Sequence, residues 1–133
     1  MIQAVADTHT VIWYLAADSR LSATAKNTIE TIIQSGDQIA ISSITLIEIV
    51  YLVEKGKITA TKFTQLANEL SSPSSSFAEI PINLAVARAL SKVNALEVPD
   101  MPDRIIAATA LHLNIPVISR DAKIQQSAIA TIW

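Results

Sequence analysis

A chain of 133 residues amounts to a single domain over residues 1–133, long enough to bury a core without disulfides or a structural metal. The absence of cysteine excludes thiolate nucleophiles, zinc–thiolate sites and disulfides together, fits a cytoplasmic protein, and leaves only oxygen or imidazole to hold a metal. A net charge of −2 and a pI near 5.6 exclude a broad basic footprint, so any contact with nucleic acid must be local.

From the start, Ile2 to Ala6 reads as a short apolar strand ended by Asp7-Thr8, and the spacing predicts a helix from Thr8 to Ala17. Ser22 caps a second helix that runs to Gln34 and stops at Gly36. Ile39 to Ile41 is a buried strand, after which Ser42, Ser43 or Thr45 can cap a helix through Val53 and Glu54 to Gly56. Both glycines of the chain thus stand where a left-handed helix terminator is wanted. Thr59 opens a helix from Ala60 to Leu70, and the serine-rich run from Ser71 to Ser76 is a loop. Phe77 to Ile82 gives a third strand, placed at a sheet edge by Pro81, which has no amide hydrogen to donate. A helix from Asn83 to Val93, a proline-broken connection from Asn94 to Pro102 and a helix from Asp103 to Leu113 follow. Pro116 to Ser119 is a fourth strand, Asp121 to Gln126 a short helix, and Ala130 to Trp133 a terminal strand.

Short apolar strands alternating with helices predict an α/β domain of three layers, a central parallel sheet flanked by helices. If the first strand is central and the fourth lies beside it, opposite the second, the point where the chain reverses direction falls between Asp7 and Asp121. Ligands bind at such switch points, outside the carboxyl ends of the strands. No stretch is long enough without a charge to cross a bilayer, since Glu48 interrupts the best candidate, and the first residues carry no basic region of a signal peptide. A hydrophobic content of 50% and a mean hydropathy of +0.38 leave apolar surface for a partner or a second copy.

Asp7, Glu48, Asp103 and Asp121 each fall at or just inside a helix start, and in a parallel sheet those starts converge on the carboxyl edge. Each also has a structural explanation. Asp7 and Asp121 suit helix caps; Glu48 stands at capping-box spacing from Thr45; Asp103 complements a helix dipole, with Asp100 as its cap. Glu48 nevertheless stands alone as a charge on a helix that is otherwise apolar nearly all round, sharing a narrow polar stripe with Thr45 and Tyr51. Carboxylates about 4 Å apart repel by roughly 4 kcal/mol per pair at an effective dielectric near 20, so an edge that gathers several calls for a cation or a proton. All-oxygen ligands favour Mg²⁺ or Mn²⁺. Thr8, Ser43 and Ser119 offer hydroxyls beside the acids, and Arg104 or Arg120 can hold a phosphate or form an outward salt bridge. His9 is assigned a surface or packing role, His112 complements the dipole near the end of its helix, and Trp13, Tyr14 and Trp133 take core or interface roles. No glycine-rich phosphate loop follows the first strand, and no serine nucleophile elbow is present.

The segments Val5-Ala6-Asp7-Thr8-His9, Ile41 to Glu48, Asp103 to Ala110 and Val117 to Asp121 together resemble the PIN domain, and more narrowly the VapC-type toxins of bacterial toxin–antitoxin pairs. The resemblance runs over essentially the whole chain. It implies a metal-dependent endoribonuclease toxin of a type II pair, hydrolysing RNA phosphodiester bonds, usually a homodimer and held inactive by a cognate antitoxin. It also implies that Asp7, Glu48, Asp103 and Asp121 are the catalytic, Mg²⁺- or Mn²⁺-binding acids, with Thr8 and Ser119 as supporting hydroxyls. Relatives often carry an aromatic residue before the third acid, where this chain reads Asp100-Met101-Pro102-Asp103-Arg104. Two other readings stand beside it: a PIN-like binding module whose acids are caps and whose apolar surface engages a partner, and a metal-dependent phosphatase acting on a small molecule.

Overall fold

The computed structural model describes all residues from Met1 to Trp133. In chain order the elements are β1 (Ile2–Ala6), α1 (Thr8–Leu15), α2 (Ala23–Gln34), β2 (Gln38–Ser42), α3 (Ser43–Glu54), α4 (Ala60–Ser71), β3 (Phe77–Ile80), α5 (Leu84–Leu90), α6 (Met101–Leu113), β4 (Val117–Ile118), α7 (Ala122–Gln126) and β5 (Thr131–Ile132). The five strands form one sheet in the order β3-β2-β1-β4-β5, and every adjacent pair is parallel. β1 is therefore central, with β4 on the side away from β2, as the sequence predicts.

The period-two alternation of a strand divides the core between the two faces of the sheet. Val5, Ala40 and Val117 point to one face, where α5, α6 and α7 cover them with Val86, Ile106 and Ile124. Their neighbours Ala4, Ala6, Ile39, Ile41 and Ile118 point to the other, against Val11 and Trp13 of α1, Ile29 of α2 and Leu66 of α4. Small side chains at Ala107, Ala108 and Ala110, all fully buried, let α6 lie close to the strands. Alanine is also the best helix former, so these positions serve propensity and packing at once.

Where boundaries differ from expectation, local chemistry explains it. α1 stops at Leu15 rather than Ala17, because Ala17 adopts a left-handed conformation (φ 50°) and the Asp18 amide turns back to the Trp13 carbonyl. A non-glycine terminator leaves no sequence signal. Gly36 and Gly56 do have positive φ, at 79° and 71°. α6 begins at Met101, two residues before the predicted start, because Asp100 is the cap and Pro102 fits the first helical turn, where no amide hydrogen is needed. β3 ends at Ile80, before Pro81, and lies at the sheet edge. α5 ends at Leu90 and is followed by turns rather than continuing to Val93.

Candidate active site

Every strand of a parallel sheet delivers its last residue to the same edge, and here the paired neighbours β1 and β4 flank the switch point. Asp7 follows β1 directly and caps α1, accepting a hydrogen bond from the Thr10 amide at 2.9 Å. Its second carboxylate oxygen accepts from the Ser119 hydroxyl, which follows β4. The crossing is tied again by the Thr10 hydroxyl, which donates to the Ile118 carbonyl at 2.9 Å. Asp7, Thr8 and Ser119 are all buried. Asp7 is thus a carboxylate whose two oxygens are both fixed by the fold.

Glu48 arrives from α3. Its capping-box explanation does not hold, because Ser42 is the cap, donating no proton there but accepting from the Ile44 amide at 3.2 Å, while Thr45 lies buried inside the first turn. Thr8 instead donates its hydroxyl to Glu48 Oε1 at 2.5 Å and lies 3.1 Å from the Thr45 hydroxyl. This links α1 to α3 and turns the glutamate toward the start of α1. Asp121 caps α7 through the Ile124 amide at 2.9 Å, and its own amide donates to Ser119 Oγ at 3.0 Å. Ser119 therefore bridges Asp7 and Asp121, a role its position after β4 makes possible.

Asp103 sits in the first turn of α6, where its amide donates to the Asp100 carboxylate at 3.1 Å. Asp7, Glu48, Asp100, Asp103 and Asp121 line one cleft of about 480 Å³, with Thr8, His9, Trp13 and Arg120 completing the nine residues of its wall. None of the five acids is ion-paired: the chain's salt bridges join Met1 to Asp37 and Arg20 to Asp18. Burial, followed by the charges of Asp121, Asp100, Asp7 and Glu48, pushes the Asp103 carboxyl up to about 7. Burial also raises Glu48, opposed by the Thr8 hydrogen bond. Crowded carboxylates without an ion-pair partner favour protons or a cation.

The donor set suits a hard divalent cation, since every side-chain ligand in reach but His9 is oxygen. As folded, no three acidic or histidine side chains come together closely enough to hold a metal ion between them.

Of the residues singled out from sequence, Asp7, Thr8, Glu48, Asp103, Arg120 and Asp121 line the cleft, and Ser119 stands directly behind Asp7. Arg104 does not. Its guanidinium donates to the carbonyls of Leu90 and Val93 at 3.0 Å each, closing the end of α5, so the expected phosphate contact is replaced by a structural one. Ser43 likewise turns away, donating to Glu79 at 2.6 Å. Asp100, His9 and Trp13 belong to the cleft although capping or packing sufficed to explain them. The available signal was spacing: Asp100 precedes Asp103 by three residues and His9 precedes Trp13 by four, which stacks each pair on one helix face.

A family profile described as the PIN domain matches residues 4–130. No curated protein matches the chain significantly. Among solved structures, VapBC2 from Rickettsia felis bound to a promoter DNA fragment superposes with a TM-score of 0.72 at 20% identity, over 98% of this chain and 97% of that one. A toxin–antitoxin complex from Klebsiella pneumoniae gives 0.70 at 26% identity, with 98% and 97% coverage. FitAcB from Neisseria gonorrhoeae gives 0.64 at 21% identity, with 98% and 96% coverage.

Proposed function

Because the chain belongs to the PIN domain family, we propose that it is a metal-dependent endoribonuclease, the toxin of a type II toxin–antitoxin pair, acting on RNA phosphodiester bonds with Mg²⁺ or Mn²⁺. The observation that carries this reading is the meeting, in one cleft, of acids from four separate segments, with Asp103 in no ion pair. Nuclease chemistry is general in the family, and structural neighbours on both sides of 25% identity are described as VapBC or toxin–antitoxin complexes.

In this reading Asp7 and Asp103 are the principal metal ligands, and Glu48 and Asp121 ligate directly or through water. Bound there, a divalent cation supplies Lewis acidity, lowering the pKa of water and neutralising charge on the phosphoryl group. Ser119 holds Asp7 in one rotamer, and Thr8 with Thr45 does the same for Glu48, so the ligands need little reorganisation. Cleavage of labelled RNA by the wild type, with Mg²⁺ and with EDTA, tests the proposal beside Asp103→Asn. Cleavage that survives chelation, or survives the substitution undiminished, sinks it.

A second reading, a catalytically weak PIN-like module acting through partner binding, draws on α3. Ile47, Val50 and Tyr51 are exposed there at 49%, 39% and 62%, more apolar surface than a solvated helix needs. A cognate antitoxin or the second protomer of a homodimer would cover it, so the surface is compatible with the toxin reading as well. Metal binding separates them: no binding of Mn²⁺ in the millimolar range favours the module. The chain has no helix long and apolar enough to cross a membrane, and a cytoplasmic location, with the RNA substrate, completes the proposal.

A further inference from the structure

Two arginines share one indole. Arg20 lies over the Trp13 ring at 5.2 Å from its centroid and Arg120 at 5.7 Å. Trp13 itself is 7% exposed and is held in place by the Trp133 ring at 5.9 Å and the His9 ring at 5.5 Å. The two guanidinium groups differ in one respect. Arg20 spends its charge on Asp18, with Nη2 at 2.8 Å and Nε at 3.1 Å from the carboxylate oxygens. Arg120 makes no ion pair, although it follows Ser119, precedes Asp121 and lines a cleft with five carboxylates.

We propose that the Trp13–Arg120 stack is a phosphodiester-binding subsite beside the acidic cleft, taking a backbone phosphate of single-stranded RNA next to the bond that is cut. The proposal rests on the nuclease reading for the identity of that bond. A guanidinium laid on an aromatic face keeps its N–H edge free, and that edge matches two phosphate oxygens. The need is electrostatic. Of ten lysines and arginines in the chain, Arg120 alone lines the cleft, so it is the one permanent protein cation set to offset repulsion between a polyanion and the acids. Trp13 is then a positioning residue, acting through Arg120 rather than on the substrate.

The test measures binding of a fluorescently labelled single-stranded RNA to the full chain with Ca²⁺ over a salt series, and cleavage kinetics with Mg²⁺. Arg120→Ala, at an exposed position, is expected to bind about tenfold more weakly and to lower the salt slope by about 0.7, the value of one phosphate contact on a single strand. It should raise KM more than it lowers kcat, because a flanking phosphate is held equally in ground and transition states. Arg120→Lys should restore the slope but only part of the affinity. Trp13→Leu should weaken binding in the wild-type background and add nothing to Arg120→Ala. A wild type that binds no RNA, or an Arg120→Ala variant with unchanged slope and KM, overturns the subsite. RNA binding that depends on Arg120 without cleavage supports the subsite and overturns the nuclease reading instead.

Discussion

Asp7 and Asp103 line the same cleft in contrasting surroundings. Asp7 is buried and receives two hydrogen bonds, from the Thr10 amide and the Ser119 hydroxyl. Asp103 receives none, and burial with four neighbouring acids raises it to about 7. The carboxylate after β1 has both oxygens hydrogen-bonded as folded, whereas the one on α6 has no donor and holds its proton more readily. One carboxylate stabilises the fold and the other opposes it, and substitutions should separate the two.

The largest effect is expected from Asp103→Asn, which should lower RNA cleavage by about a hundredfold or more, since even outer-shell changes cost about 10- to 100-fold. In metal-free buffer the same change should leave the thermal midpoint unchanged or raised. Asp7→Ala should match the loss of cleavage but also destabilise the fold by about 1–2 kcal/mol, through loss of a cap, read by chemical denaturation. Equal stability of the two variants would erase the distinction.

The pH dependence sharpens it. Asp103 has a raised pKa when folded, so between the unfolded value near 3.8 and about 7 the folded protein binds more protons than the unfolded chain. Metal-free stability is therefore expected to fall as pH rises through that window, with Glu48 contributing in the same direction. Asp103→Asn should flatten the curve, and Mn²⁺ affinity of the wild type should increase as the proton leaves toward pH 7. A wild-type curve that rises across the window contradicts the assignment.

Smaller changes concern the supports. Thr8→Val removes the donor to Glu48, and about a tenfold loss of cleavage is expected with little change in unfolding. Arg104→Ala should do the reverse, costing about 1–2 kcal/mol by leaving the partly buried Leu90 and Val93 carbonyls without their donor, while cleavage stays within twofold.

Much of this was legible along the chain because each signal is local. Alternating short apolar strands and capped helices predict the parallel sheet, and helix starts in such a sheet lie at one edge, so Asp7, Glu48, Asp103 and Asp121 could be grouped before any contact was seen. Ala17 shows the limit on boundaries: a left-handed alanine carries no compositional mark. Arg104 shows the limit on roles. Next to an acid in sequence, it reads as a phosphate ligand, yet α6 turns it toward the end of α5. Asp100 and Trp13 read as a cap and a core residue, both correctly, and only their neighbours reveal that they also line the cleft.

Sequence alone thus determined which residue types stand at the carboxyl edge, because periodicity and capping act over a few residues. Only the tertiary structure decided which oxygens are already satisfied and which cation is free. Those depend on contacts between residues as distant as Asp7 and Ser119, and on the shared burial that turns Asp103 from an ordinary acid into one that awaits a partner.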